Sequence, residues 1–253
     1  ASFLSDAKTL TNVMKKQGSV LKALKEGAKV AMAGRGFMDD AAYTLHFAVE
    51  GRSKAGVTEE LAILKKIADA HGGKEIENSI PKIIRANPFT PLNNMLGPQG
   101  ERWVPIHGIV PVSEGPACWR ELEDGFDAMR EELDKHDILT GALVTSLGTT
   151  GYLIEPVFIW PEELFAIHEE AVEDQVLARY PRYEPNPDAT AMVEKARQFV
   201  LDTFSAHGAA HFQIGRTYPY KSGRDPAAFA LLETIKASLD ENGIVNPGAL
   251  GLG

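Results

Sequence analysis

The chain has 253 residues, 44% apolar and 24% charged, with 35 acidic against 26 basic residues and a formal net charge of −9. That length holds one large domain or two small ones, and the acidic balance argues against the phosphate contacts of a nucleic-acid binder. A lone cysteine, Cys118, excludes an internal disulfide and a cysteine-based zinc site. No run approaches the ~18–20 apolar residues of a membrane span, and with no basic-then-apolar leader the cytoplasm is the expected compartment.

Residues 4–26 predict a helix, with Asp6 as N-cap, an apolar stripe of Leu10, Val13, Met14, Leu21 and Leu24, and Gly18 as a weak point. Gly34-Arg35-Gly36 lacks the third glycine and the strand–turn–helix setting of a phosphate-binding fingerprint. Residues 41–50 alternate like a strand that Gly51 ends; His46 within it reads as a surface or packed histidine. Residues 57–71 predict an amphipathic helix with Thr58 as cap and Gly72-Gly73 as stop. A short helix over 80–87 ends at Pro88. Residues 87–100 read as a loop too apolar for a free linker, since Phe89, Leu92, Met95 and Leu96 need cover.

A second strand is expected over 103–110, where Pro105 suggests an edge. A helix over 116–136 follows, with Cys118 as a small core residue. Strands 139–147 and 152–160 form a hairpin through Gly148-Thr149-Thr150-Gly151. Helices over 162–180 and 188–207 flank the proline-rich stretch 181–189. A short apolar strand then leads into the polar cluster His211, Gln213, Arg216, Tyr218 and Tyr220. Asp225 and Pro226 open a helix that runs to Leu239, and Asn242-Gly243 stops it. Asn246-Pro247-Gly248 imposes an extended residue and a turn. The element order predicts a single α+β domain: a ferredoxin-like antiparallel or mixed sheet with helices packed on one face.

The closing residues Lys236, Leu239, Asp240, Gly243, Ile244, Asn246, Pro247 and Gly248 stand at the offsets of a known C-terminal signature. The chain resembles the C-terminal cap, or substrate, domain of FAD-linked oxidases of the vanillyl-alcohol oxidase/p-cresol methylhydroxylase superfamily. The resemblance implies a flavoprotein oxidoreductase that transfers a hydride from a small hydroxy acid or a para-substituted phenol or alcohol to FAD. It also implies an N-terminal FAD-binding domain or subunit that is absent from this chain and holds the nucleotide part of the cofactor. An exposed apolar face should then dock that domain, or a second copy in a homodimer. The other reading is a stand-alone ferredoxin-like module that binds a small molecule or a protein without flavin chemistry.

The resemblance extends to the hairpin, where Tyr152 falls near the position that touches the flavin edge in some relatives; Asn246 joins it as a cofactor contact. Paired histidines that suit a metal in hydroxy-acid-oxidising relatives have no counterpart in this hairpin, so no metal is expected. Where those relatives carry glutamate-histidine-glycine-isoleucine-glycine, this chain keeps Ile214-Gly215 behind His211, Phe212 and Gln213. Arg216 falls at the anchor for the anionic end of the substrate in the phenol-oxidising branch, and its guanidinium matches a carboxylate or phenolate on chemical grounds as well. His211 is a candidate base, His107 a strand residue facing the cavity, and Tyr218 a hydroxyl donor. Glu155 stands on a strand whose parity the sequence leaves open.

Overall fold

The computed structural model describes residues 42–76, 85, 89, 92–213 and 215–252, and the chain divides into two compact units, 1–91 and 92–253. The helix expected over 4–26 and the Gly34-Arg35-Gly36 turn lie outside the described residues, as does nearly all of the helix expected over 80–87.

In the first unit, helix α1 spans Lys54–Ala70. Its cap is Ser53, whose Oγ accepts the Gly56 amide at 3.1 Å. The expected cap, Thr58, lies one turn inside and its hydroxyl donates to the Lys54 carbonyl at 2.9 Å. Residues 43–50 enter no strand ladder among the described residues, and His46 is exposed. Alternation marks a strand only where a neighbour supplies partners for its amides and carbonyls.

The second unit is an α+β structure with one antiparallel sheet. Its strands are β1 (Arg102–Pro105), β2 (Gly108–Pro111), β3 (Leu139–Leu147) and β4 (Gly151–Trp160). β4 is the centre. β3 pairs along its whole length on one side, and β1 and β2 pair end to end on the other. β1 and β2 keep one register, Pro105 facing Val157 and Gly108 facing Ile154, so they are the single strand expected over 103–110 with a short gap in its ladder. Gly148 adopts φ 61° in the β3–β4 turn, the left-handed conformation such a tight reversal requires.

The second unit's helices are α2 (Gly115–Ala128), α3 (Arg130–Lys135), α4 (Ala166–Ala171), α5 (Asp174–Leu177), α6 (Pro187–Ala206) and α7 (Pro226–Leu239). α2 and α6 cover one face of the sheet, burying Ile106, Val110, Ile154 and Phe158 against Leu122, Val200 and Phe204. Phe126 meets Phe158 edge-on at 5.9 Å, and Trp160 Nε1 donates to Thr190 Oγ1 at 3.2 Å. Cys118 lies wholly buried in this core.

The helix expected over 162–180 breaks into α4 and α5. Val172 is extended, and the Glu173 amide donates to Asn93 Oδ1 at 3.1 Å instead of to its own helix. Asn93 and Leu96 belong to the apolar loop, and Leu96 packs with Val172, Val176 and Leu177 in a second small core. Phe89, by contrast, is 96% exposed.

Candidate functional site

The two faces of the sheet differ by residue parity. On β4, the even-numbered Ile154, Pro156, Phe158 and Trp160 are buried under α2 and α6, and the odd-numbered Leu153, Glu155, Val157 and Ile159 are half-buried on the open face. The register carries this parity across the strands. His107 stands opposite Glu155 in the run between the Pro105–Val157 and Gly108–Ile154 pairs, and Leu143 of β3 pairs with Glu155 on its other side. Along β4 this face is therefore apolar apart from Glu155, which has His107 beside it on one side and Leu143 on the other.

His107 is 1% exposed, and the segment after α6 covers it. Ala210 bridges Ile109 on the outer edge of β2, which brings the next residues alongside. The amides of Phe212 and Gln213 donate to His107 Nε2 at 3.3 and 3.4 Å. Two donors on Nε2 leave the ring proton on Nδ1, which faces Tyr218 Oη at 2.7 Å. Tyr218 Oη also accepts the His107 backbone amide at 3.1 Å. Phe212 stacks on the His107 ring at 4.2 Å. His107 is thus held neutral: burial, then the neighbouring His211 charge, lowers its pKa to about 4.

His211 completes the cluster. Its Nδ1 donates to the His107 carbonyl at 2.7 Å, and its ring stacks on Tyr218 at 4.4 Å. A carbonyl only accepts, so the proton sits on Nδ1 and Nε2 keeps a lone pair. Burial lowers the His211 pKa; the bond to the carbonyl opposes that shift, and the Arg224 charge adds to it. Tyr218 Oη receives two donors, so its own hydroxyl proton is free to be donated onward. Burial raises its pKa and the Glu155 charge adds to that, against the His107 amide and Arg197.

His107, His211 and Tyr218, three of the residues singled out in the sequence, therefore meet. Arg216 does not join them. It is exposed, and its Nη2 donates to the Pro247 carbonyl at 2.6 Å. The Leu250 amide donates to the Gly215 carbonyl at 2.7 Å beside it. Together these bonds clip the C-terminal tail to the segment. Tyr152 has even parity and packs on the start of α2, where a Cβ on Gly115 would stand 2.5 Å from its ring. Asn246, at φ 46°, shapes the tail turn. Neither touches the His107 cluster. Glu155, whose parity the sequence left open, faces away from the helix layer, which nothing in a single strand could tell.

The tail itself explains its spacing. Asp240 accepts the amides of Ile244 and Val245, both at 3.0 Å, and pairs with Lys236, which also donates to the Val245 carbonyl at 2.6 Å. Gly243 reverses the chain between them at φ 62°.

The α+β unit thus carries one sheet face that α2 and α6 leave uncovered, with an imidazole–phenol cluster at its edge. Residues 4–250 match the family described as FAD linked oxidases, C-terminal domain, and the chain belongs to that family. FAD is thus the cofactor of the complete protein, and an N-terminal FAD-binding domain is the partner of this one. No curated protein matches the chain. No helix among the described residues is long and apolar enough to cross a membrane.

Proposed function

We propose that this chain is the substrate-binding cap of an FAD-dependent oxidoreductase that oxidises a small hydroxyl-bearing molecule, and that the open sheet face around His107 is its substrate wall. The observation that carries the reading is the 2.7 Å hydrogen bond between His211 Nδ1 and the His107 carbonyl. The His107 carbonyl holds its Nδ1 proton and leaves Nε2 as a lone pair on a half-buried ring. Such a nitrogen is the form a general base needs. The flavin, when bound, supplies the acceptor for the substrate hydride.

In this reading each side chain has one task. His211 Nε2 takes the hydroxyl proton of the substrate. Tyr218 donates its free hydroxyl proton to an oxygen of the ligand. His107 positions both, through its carbonyl and Nδ1, and does not itself exchange protons. Leu153, Val157 and Ile159 exclude water from the face. Arg216 works at a distance by keeping the tail against the segment that carries His211.

The test is anaerobic flavin reduction in the full-length protein. His211→Gln should lower the rate of reduction about 10²–10³-fold, the range of a lost general base, with ligand affinity changed less than about threefold. A loss of affinity with an unchanged reduction rate would remove His211 from the chemistry. Burial keeps the His211 pKa below its ordinary value, so activity should hold on the alkaline side and fall only as the pH drops below about 6.5.

A further inference from the structure

The Glu155 carboxyl has no hydrogen bond or salt bridge among the described residues, yet it sits half-buried in the middle of the open face, between His107 and Leu143. Its neighbours along β4 on that face are Leu153 and Val157. Three arginines stand around the region, and the charges of Arg224 and Arg197 reach His211 and Tyr218. Arg216 holds the tail carbonyl, Arg224 lies exposed over the Tyr220 ring at 4.9 Å, and Arg197 of α6 pairs with Glu194 at 2.5 Å. Glu155 is the one carboxyl that β4 carries, and its charge reaches the Tyr218 hydroxyl.

We infer that Glu155 determines specificity on this face: it selects an uncharged, apolar ligand that donates a hydrogen bond through a hydroxyl, and it excludes carboxylates. The inference rests on the reading of the open face as the substrate wall, and it separates the alcohol or phenol class from the hydroxy acids. The physical reason is the surroundings of the carboxyl. Burial already disfavours its charge, and a second carboxylate beside it adds like-charge repulsion with little water between them. A hydroxyl instead gives Glu155 the charge-assisted hydrogen bond it lacks.

Benzyl alcohol and benzoate, matched in size and differing in charge, are the probes. Binding of each to the full-length protein is followed by ligand-observed NMR at pH 7.5. The wild type should bind benzyl alcohol roughly tenfold or more tightly than benzoate, given the cost of juxtaposed like charges. Glu155→Gln should bring the two within about threefold, chiefly by admitting benzoate. Benzoate binding as tightly as the alcohol to the wild type, or a preference unchanged in Glu155→Gln, overturns the role of Glu155 and leaves the wall reading standing. Failure of both probes to bind overturns the wall reading as well. A wild type that binds benzoate as tightly as the alcohol overturns that role even if Glu155→Gln does not fold, and Glu155→Asp, which keeps the charge, should keep the preference.

Discussion

His107 shows how one side chain organises a site by being unable to react. Both ring nitrogens and both backbone groups are engaged, so the ring is a fixed template for Tyr218, His211 and the 212–213 amides. His107→Ala would leave two amides and a buried phenol without partners. The expected cost is about 2–4 kcal/mol, from unsatisfied polar groups and a cavity together, read by urea unfolding at pH 7. The same residue predicts a pH dependence. Its folded pKa of about 4 lies below the unfolded value near 6.5. The unfolded chain therefore binds the proton first as pH falls, and stability present above pH 6.5 is lost between 6.5 and 4. That loss reaches about 3 kcal/mol at 1.36 kcal/mol per pH unit. His107→Gln should flatten the slope over that interval; an identical slope would show that His107 is not the titrating group.

At the scale of elements, the sheet and α6 meet at a glycine. A Cβ on Gly108 would stand 2.7 Å from the ring of Phe204, which is fully buried and has nowhere to move. Glycine usually weakens a strand, so Gly108→Ala would stabilise an isolated strand slightly. Here the overpacking cost of about 1–3 kcal/mol wins, and thermal unfolding should show a lower Tm. Three residues beyond Phe204, at the C-cap of α6, His207 bridges two carboxylates of the α2 region, Glu114 and Glu121, at 3.0 Å each. Hydrogen bonds to Glu114 and then Glu121 raise its pKa. The sign is opposite to that of His107: the bridge stabilises fully below pH 6.5 and fades as pH rises through the raised value. Both carboxylates are about half exposed, so screening keeps the gain under about 1 kcal/mol. His207→Gln should abolish the small rise in stability between pH 8 and 6.5, measured by urea midpoints. The broken helix at 172–173 belongs to this scale as well. Its periodicity was legible, but Asn93 lies 80 residues upstream of Glu173 and captures its amide.

For the whole molecule, the proposal that the open face meets a partner can be tested at β3. Leu139 and Leu143 of β3 are 57% and 55% exposed, and the family to which the chain belongs supplies an FAD-binding domain. Leu143→Ser should therefore cost less than about 0.5 kcal/mol in this chain by itself, the usual limit for exposed positions. The cost should rise to about 1 kcal/mol or more in the full-length protein if the partner buries the side chain; equal costs in the two would show that Leu143 stays uncovered. Much of this protein was readable from its residues alone. The hairpin, α6, α7 and the closing tail follow from caps, glycines and prolines that act on their immediate neighbours, and the tail signature pointed to the family. The three residues of the cluster were legible as chemistry but not as a cluster. Which face of β4 lies under the helices, and hence that Glu155 and His107 share the other, depends on the register of β1 and β2 on β4, strands far apart in the chain. So does the commitment of Arg216 to the tail carbonyl. Local sequence sets the backbone because turns and caps are short-range; it leaves open which distant groups compete for a given donor, and only the packed chain decides that.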